Sequence, residues 1–286
     1  MNTYQSNPGK SINCAAYFGL AIVFLIAFFP VIKQLVEFWI KSDDYSHGFL
    51  IVPISIYIAW QKRAEIKKAN VTPGRFGVIL FTLAVILYLL GIFANIITLT
   101  SFSLVLTLMA IVWCLCGKEV FLITLFPLLF LFLMIPVPAQ VYSMATNPLQ
   151  LLVSTVSAAI IDSLGAPILR EGNLLHLPGH TLAVVHACSG LRSLMSLVAI
   201  CAIFGYLTLS SNMLRGLILV SSVPIAIVVN IIRVVVMLVA LYYYGFDLTK
   251  GHLHTIFGIA IFALALLSIT LLRGTLKRWD IKPTGE

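Results

Sequence analysis

Residues 76–94 read FGVILFTLAVILYLLGIFA, nineteen positions without a single charge. A bilayer core about 30 Å thick takes about 20 apolar residues of helix, so a run of this length reads as a membrane span. The pattern recurs along the chain. Candidate spans fall at roughly 12–32, 48–60, 76–94, 99–116, 120–137, 190–209, 216–242 and 255–273. With 60% hydrophobic and 10% charged residues among 286, no soluble domain could hide the apolar surface left over. The first run is not followed by a small-residue cleavage site and reads as a retained helix. The expectation is therefore one all-α polytopic membrane domain over residues 1–286, with about eight transmembrane helices.

The net charge of +8 would suit a nucleic-acid partner if it formed a patch, but it does not. The cations stand in short clusters beside apolar runs, chiefly QKRAEIKKANVTPGR at 61–75 and RGTLKRWDIK at 273–282. Positive charge stays on the cytoplasmic side of a membrane, so both clusters and both termini are expected inside. Eight spans then put Lys10, Lys118 and Arg215 inside too, and leave only Lys33, Lys41, Arg170 and Lys250 outside. Residues 139–164 are helical in pattern, yet a ninth crossing would carry the basic C-terminus outside. They are expected to lie on or dip into the outer leaflet, helped by Gln140, Ser143, Thr146, Asn147 and Gln150. Residues 165–188, GAPILREGNLLHLPGHTLAVVHAC, are short alternating runs broken by Gly172, Pro178 and Gly179. They predict a small β-hairpin-like element on the outer surface. The five cysteines are odd in number and four lie in or beside apolar runs, which argues against a disulfide framework.

This topology brings three polar residues to one depth. Cys188, in HACSGLRS, opens the span at 190–209 from outside. Arg233, in VVNIIRVVVM, lies 17 residues after residue 216, or ~25 Å up a helix that starts inside. His254 opens the last span from outside. An ionisable side chain within a membrane helix marks a functional site by default, against the alternative of a snorkelling or packing role. Asn230 stands one turn from Arg233. A cysteine in a greasy chain is commonly a buried small hydrophobe. Cys188, however, sits at a helix N-terminus near Arg192, a setting that favours the thiolate, and Ser189 and Gly190 offer backbone N–H groups to an oxyanion. His176, His180, His186 and Cys188 form a rival metal-binding set, though their spacing matches no closed zinc motif. No metal or other cofactor is expected. Asp43, Asp44 and His47 begin the second span and either shape a substrate entrance or form a solvated loop.

HACSGLRS, NIIRV and HTIFG, in that order, together with DDYSHGFLIVPISIYIAWQKR at 43–63, resemble the exosortase/archaeosortase family over residues 40 to 260 or so. The resemblance implies a membrane-embedded cysteine protease or transpeptidase of the cell envelope. Its substrates would be exported proteins whose tails carry a Pro-containing motif such as Pro-Glu-Pro, a transmembrane helix and a basic end. It also implies catalytic roles for Cys188, Arg233 and His254, with His252 the competing histidine. His186 stands where such proteins often carry an acid. The expected address is a bacterial inner, or plasma, membrane with an extracytoplasmic active site. A polytopic transporter and a metal-binding membrane protein are the alternatives from other classes.

Overall fold

In the computed structural model, residues 14–184, 190–249 and 251–280 are described. The helices are α1 Cys14–Lys41, α2 Gly48–Gln61, α3 Arg63–Lys68, α4 Phe76–Phe93, α5 Ile97–Ile123, α6 Leu125–Phe130 and α7 Ala139–Ser163. After them come β1 Leu169–Glu171, β2 Leu174–Leu177 and β3 His180–Ala183, then α8 Gly190–Thr208, α9 Asn212–Tyr244 and α10 Gly251–Lys277. Among the described residues six helices are long and apolar enough to cross a membrane by length and composition: α1, α4, α5, α7, α9 and α10. Shorter apolar helices cover Gly48–Gln61, Leu125–Met134 and Leu194–Thr208. The expected all-α polytopic membrane fold is what the chain adopts.

Small residues set the closest helix pair. On α4 only Gly77, Ala84 and Gly91 are buried, seven residues apart on one face. A Cβ added at Gly77 would stand 2.7 Å from the Cys114 backbone nitrogen, and one at Gly91 2.8 Å from that of Thr100. Lipid offers no hydrophobic drive between helices, so such close approach supplies the packing energy instead. The outward faces stay apolar, as Val78, Ile79, Phe81 and Phe93 illustrate.

Two expected boundaries differ most. The first span continues nine residues beyond 32, to Lys41, because Val31, Leu35 and Trp39 extend its buried stripe at four-residue spacing. The expected spans 99–116 and 120–137 follow each other without a loop, the chain doubling back at Gly117. Contacts between Thr98 and Pro136, Phe102 and Phe132, and Trp113 and Phe121 are symmetric about that glycine. Gly117 has φ +84°, and a Cβ there would lie 2.1 Å from the Thr72 carbonyl oxygen. Only glycine fits this turn.

The contacts divide the molecule into two ends. At the basic end the Asn70 N–H donates to Glu119, and the Asp280 carboxylate accepts the N–H groups of Ser210 and Ser211. Arg215 bonds the Leu209 carbonyl there and lies over the Tyr206 ring. The two basic clusters, Lys118 and Arg215 thus share one end of the bundle, as the charge pattern predicts. The opposite end gathers Asp43–His47, residues 133–142, the start of α8 and the α9–α10 turn, and carries His47, His252 and His254.

Helix α7 has the length of a span, but both its ends are held toward this histidine end. The Tyr142 hydroxyl in its first turn donates to Asp44, and the Tyr243 hydroxyl from the last turn of α9 donates to the Leu164 carbonyl that follows it. Its buried side chains Val153 and Ile161 share a core with Val234, Met237 and Leu238 of the C-terminal half of α9.

The expected hairpin is a three-stranded antiparallel meander in the order β1-β2-β3. Pro178 and Gly179, the latter at φ +77°, make the tight turn between β2 and β3. Leu175, Leu177 and Leu182 point from the sheet into the core shared with α7 and α9.

Candidate active site

Helices α8, α9 and α10 meet in a seam at the histidine end. α8 and α9 run antiparallel, with Gly205 against Ile218 near their connection. Leu197 shares a small cavity with Ala226, Val229 and Asn230. Continuing that register places the first turn of α8 level with Arg233. On the other side of the seam, α10 brings Gly258, Ile261 and Ala265 to the same cavity.

Arg233 and His254 meet there. The guanidinium Nη2 lies 3.4 Å from His254 Nε2, at the outer limit of hydrogen-bonding distance. His254 Nδ1 is 3.2 Å from the Leu248 carbonyl oxygen. A carbonyl only accepts and a guanidinium only donates. Both contacts are therefore satisfied by one neutral tautomer, with the proton on Nδ1 and the lone pair on Nε2. The loop that supplies the Leu248 carbonyl is itself fixed. Gly245 ends α9 in the left-handed conformation at φ +68°, and the Asp247 side chain accepts the Thr249 N–H.

Arg233 Nε is buried and has no partner among the described residues, and no carboxylate there forms an ion pair with this guanidinium. A buried guanidinium in an apolar seam is costly unless it is paired, which marks this arginine as a candidate site residue. Asn230, one turn below and 9% exposed, lines the cavity of about 30 Å³ beneath the pair. A Cβ at Gly258 would meet nothing within 4 Å, so this glycine leaves the cavity open. His252 stands on the exposed face of α10, two residues before the half-buried His254.

Cys188, Ser189 and His186 lie outside the described residues. So does the side chain of Arg192, although the backbone of Gly190 and Arg192 begins α8. Of the rival metal set, His176 accepts or donates to Thr181 Oγ1 at 3.0 Å and faces Glu171 at 3.5 Å. Among the described residues no three His, Cys, Asp or Glu side chains converge as a metal site would require.

His47 and Asp44 are not part of this seam. They form a separate corner, with α8 between the two. Ser196, Ala199 and Ile200 face a pocket of about 310 Å³ that His47 lines, whereas Leu197 faces the cavity below Arg233, and Phe262 of α10 touches both. His47 Nε2 lies 3.2 Å from the Leu133 carbonyl, and burial pushes its imidazole below the ordinary value. Tyr45 accepts the Val137 N–H, while burial raises its phenol. The sequence gives no sign of the Leu248 carbonyl or of Tyr142 as partners of His254 and Asp44. A loop carbonyl carries no side-chain signature, and Tyr142 is 98 residues from Asp44.

No match was found among curated proteins or solved structures. A family model described as transmembrane exosortase matches residues 39–271, taking in α2 through most of α10 and every residue of the seam. The chain belongs to the transmembrane exosortase family.

Proposed function

We propose that this protein is a membrane-embedded cysteine protease or transpeptidase that removes C-terminal sorting tails from exported proteins through a thioacyl intermediate on Cys188. The observation that carries the reading is the Arg233–His254 contact, with its Nε2 lone pair, at the level where α8 starts. Cys188 precedes Gly190 by two residues, a reach of at most about 7 Å. Membership of the exosortase family supports the same chemistry.

The steps follow from these groups. His254 Nε2 takes the Cys188 thiol proton, and the thiolate attacks the scissile carbonyl. Arg233 and the N–H groups of Ser189 and Gly190 hold the oxyanion, while Arg192 and the N-terminus of α8 favour the thiolate. The C–N bond breaks as His254 returns the proton to the leaving amine, which departs with the substrate's tail helix. A second nucleophile then gives its proton to His254, attacks the thioester and frees the thiol. Water makes the enzyme a protease, and an amine makes it a transpeptidase. Asn230 supports the seam beneath Arg233.

The substrate tail is read as a Pro-containing motif, a transmembrane helix and a basic end. The basic end of this bundle would face the cytoplasm of a bacterial cell and the histidine end the outside, as the distribution of cations favours. The test is co-expression with an exported protein carrying a Pro-Glu-Pro tail, followed by mass spectrometry of the product. Wild type should release the tail. Cys188→Ala, at equal membrane abundance, should not, and processing by that variant at the wild-type rate would sink the thiol mechanism.

A further inference from the structure

The two edges of the sheet differ. The Val184 N–H bonds the Asn173 carbonyl, and the register pairs Leu182 with Leu175 and His180 with Leu177. In an antiparallel ladder hydrogen-bonded pairs alternate with pairs whose N–H and C=O groups point the other way. Thr181 and Ala183 therefore direct their backbone groups away from β2, and no backbone partner meets them there among the described residues. Thr181 is exposed and Ala183 half-buried, so the edge is reachable. Folded proteins blunt a free edge with charges, prolines or bulges. The far edge, β1, is blunted by the exposed pair Arg170 and Glu171. β3, His-Thr-Leu-Ala, carries none of these devices.

We infer that the free edge of β3 is a docking strand for an extended stretch of substrate, which adds to the sheet as a fourth strand. This rests on the proposed function for the identity of the substrate. Donors and acceptors repeating every second residue match an extended peptide backbone and no small ligand. Position favours the same occupant. Four residues lie between Ala183 and Cys188, and the chain then enters α8 level with Arg233. The sheet shares its core with Val234, the neighbour of Arg233, so a strand laid on this edge lies close to the seam, its backbone held while its side chains alternate between the sheet's two faces.

The test has an arm that needs no turnover. Full-length Cys188→Ala protein in lipid vesicles is exposed to deuterated water with and without a synthetic peptide carrying a Pro-Glu-Pro motif and its apolar helix. Exchange at Thr181 and Ala183 should slow at least tenfold with peptide, and unchanged exchange at both overturns the inference. In the catalytic arm, Thr181→Pro and Ala183→Pro should each raise KM about fivefold, the loss of one hydrogen bond, with kcat within twofold. Arg170→Pro on the other edge should leave KM unchanged. A wild-type KM in both β3 proline variants rejects the docking strand. Protection without wild-type cleavage upholds the strand and rejects the proposed reaction. Cleavage without protection does the reverse, and neither result counts against both.

Discussion

Two histidines stand at the same end of this bundle and are held in opposite ways. His47 gives its Nε2 proton to the Leu133 carbonyl, in a corner where Trp39 bonds the Met134 carbonyl, Tyr45 the Val137 N–H and Tyr142 the Asp44 carboxylate. His254 gives its Nδ1 proton to a carbonyl and leaves the Nε2 lone pair toward a guanidinium. The first arrangement fastens α1, α2 and the start of α7 together. The second keeps a ring-nitrogen lone pair beside a cation that has no carboxylate partner among the described residues. The two rings thus differ in which nitrogen faces a carbonyl, Nε2 in His47 and Nδ1 in His254.

The largest expected effect lies at the seam. His254→Ala should lower tail processing by about 10²- to 10⁴-fold, the range for a general acid–base, with the thermal midpoint almost unmoved. Arg233→Lys keeps a charge but not the planar fork, and should still cost about 10²-fold in kcat by the same processing assay. At the corner the pattern reverses. His47→Gln should reduce stability by about 1 kcal/mol in chemical unfolding while kcat stays within tenfold. Acid should sharpen that contrast. Burial holds the folded pKa of His47 below 6.5, so the unfolded chain binds more protons. The stabilising share of His47 is then present above pH 6.5 and fades as the pH falls toward the folded value. Unfolding midpoints from pH 7.5 to 5 should slope more steeply for wild type than for His47→Gln. Smallest of all, His252→Ala should leave processing within twofold, since that ring lies on the exposed face of α10.

Much of this was legible in residue order. Apolar runs locate the apolar helices, and the two basic clusters predict which helix ends lie together. Counting rise from residue 216 brings Arg233 to the depth of His254 before any contact is known. What the pattern could not carry is long-range or backbone-borne. The reversal at Gly117 depends on the Thr72 carbonyl 45 residues earlier, and a lone glycine in an apolar run does not announce it. The extension of α1 past Lys33 hides among Lys33, Gln34, Glu37 and Lys41, although Leu35 and Trp39 turn to the core. The separation of Asp44 and His47 from the seam depends on which faces of α8 turn each way, and helices that share a depth need not share a site.

The most direct measurement asks which histidine position lies beside Cys188. With Cys14, Cys114, Cys116 and Cys201 replaced by alanine, His254→Cys and His47→Cys are each treated in native membranes with a thiol cross-linker of minimal span. An intramolecular cross-link to Cys188 in His254→Cys, and none in His47→Cys, is the predicted result. Cross-linking through position 47 and not through 254 would contradict a site built on the α8–α9–α10 seam.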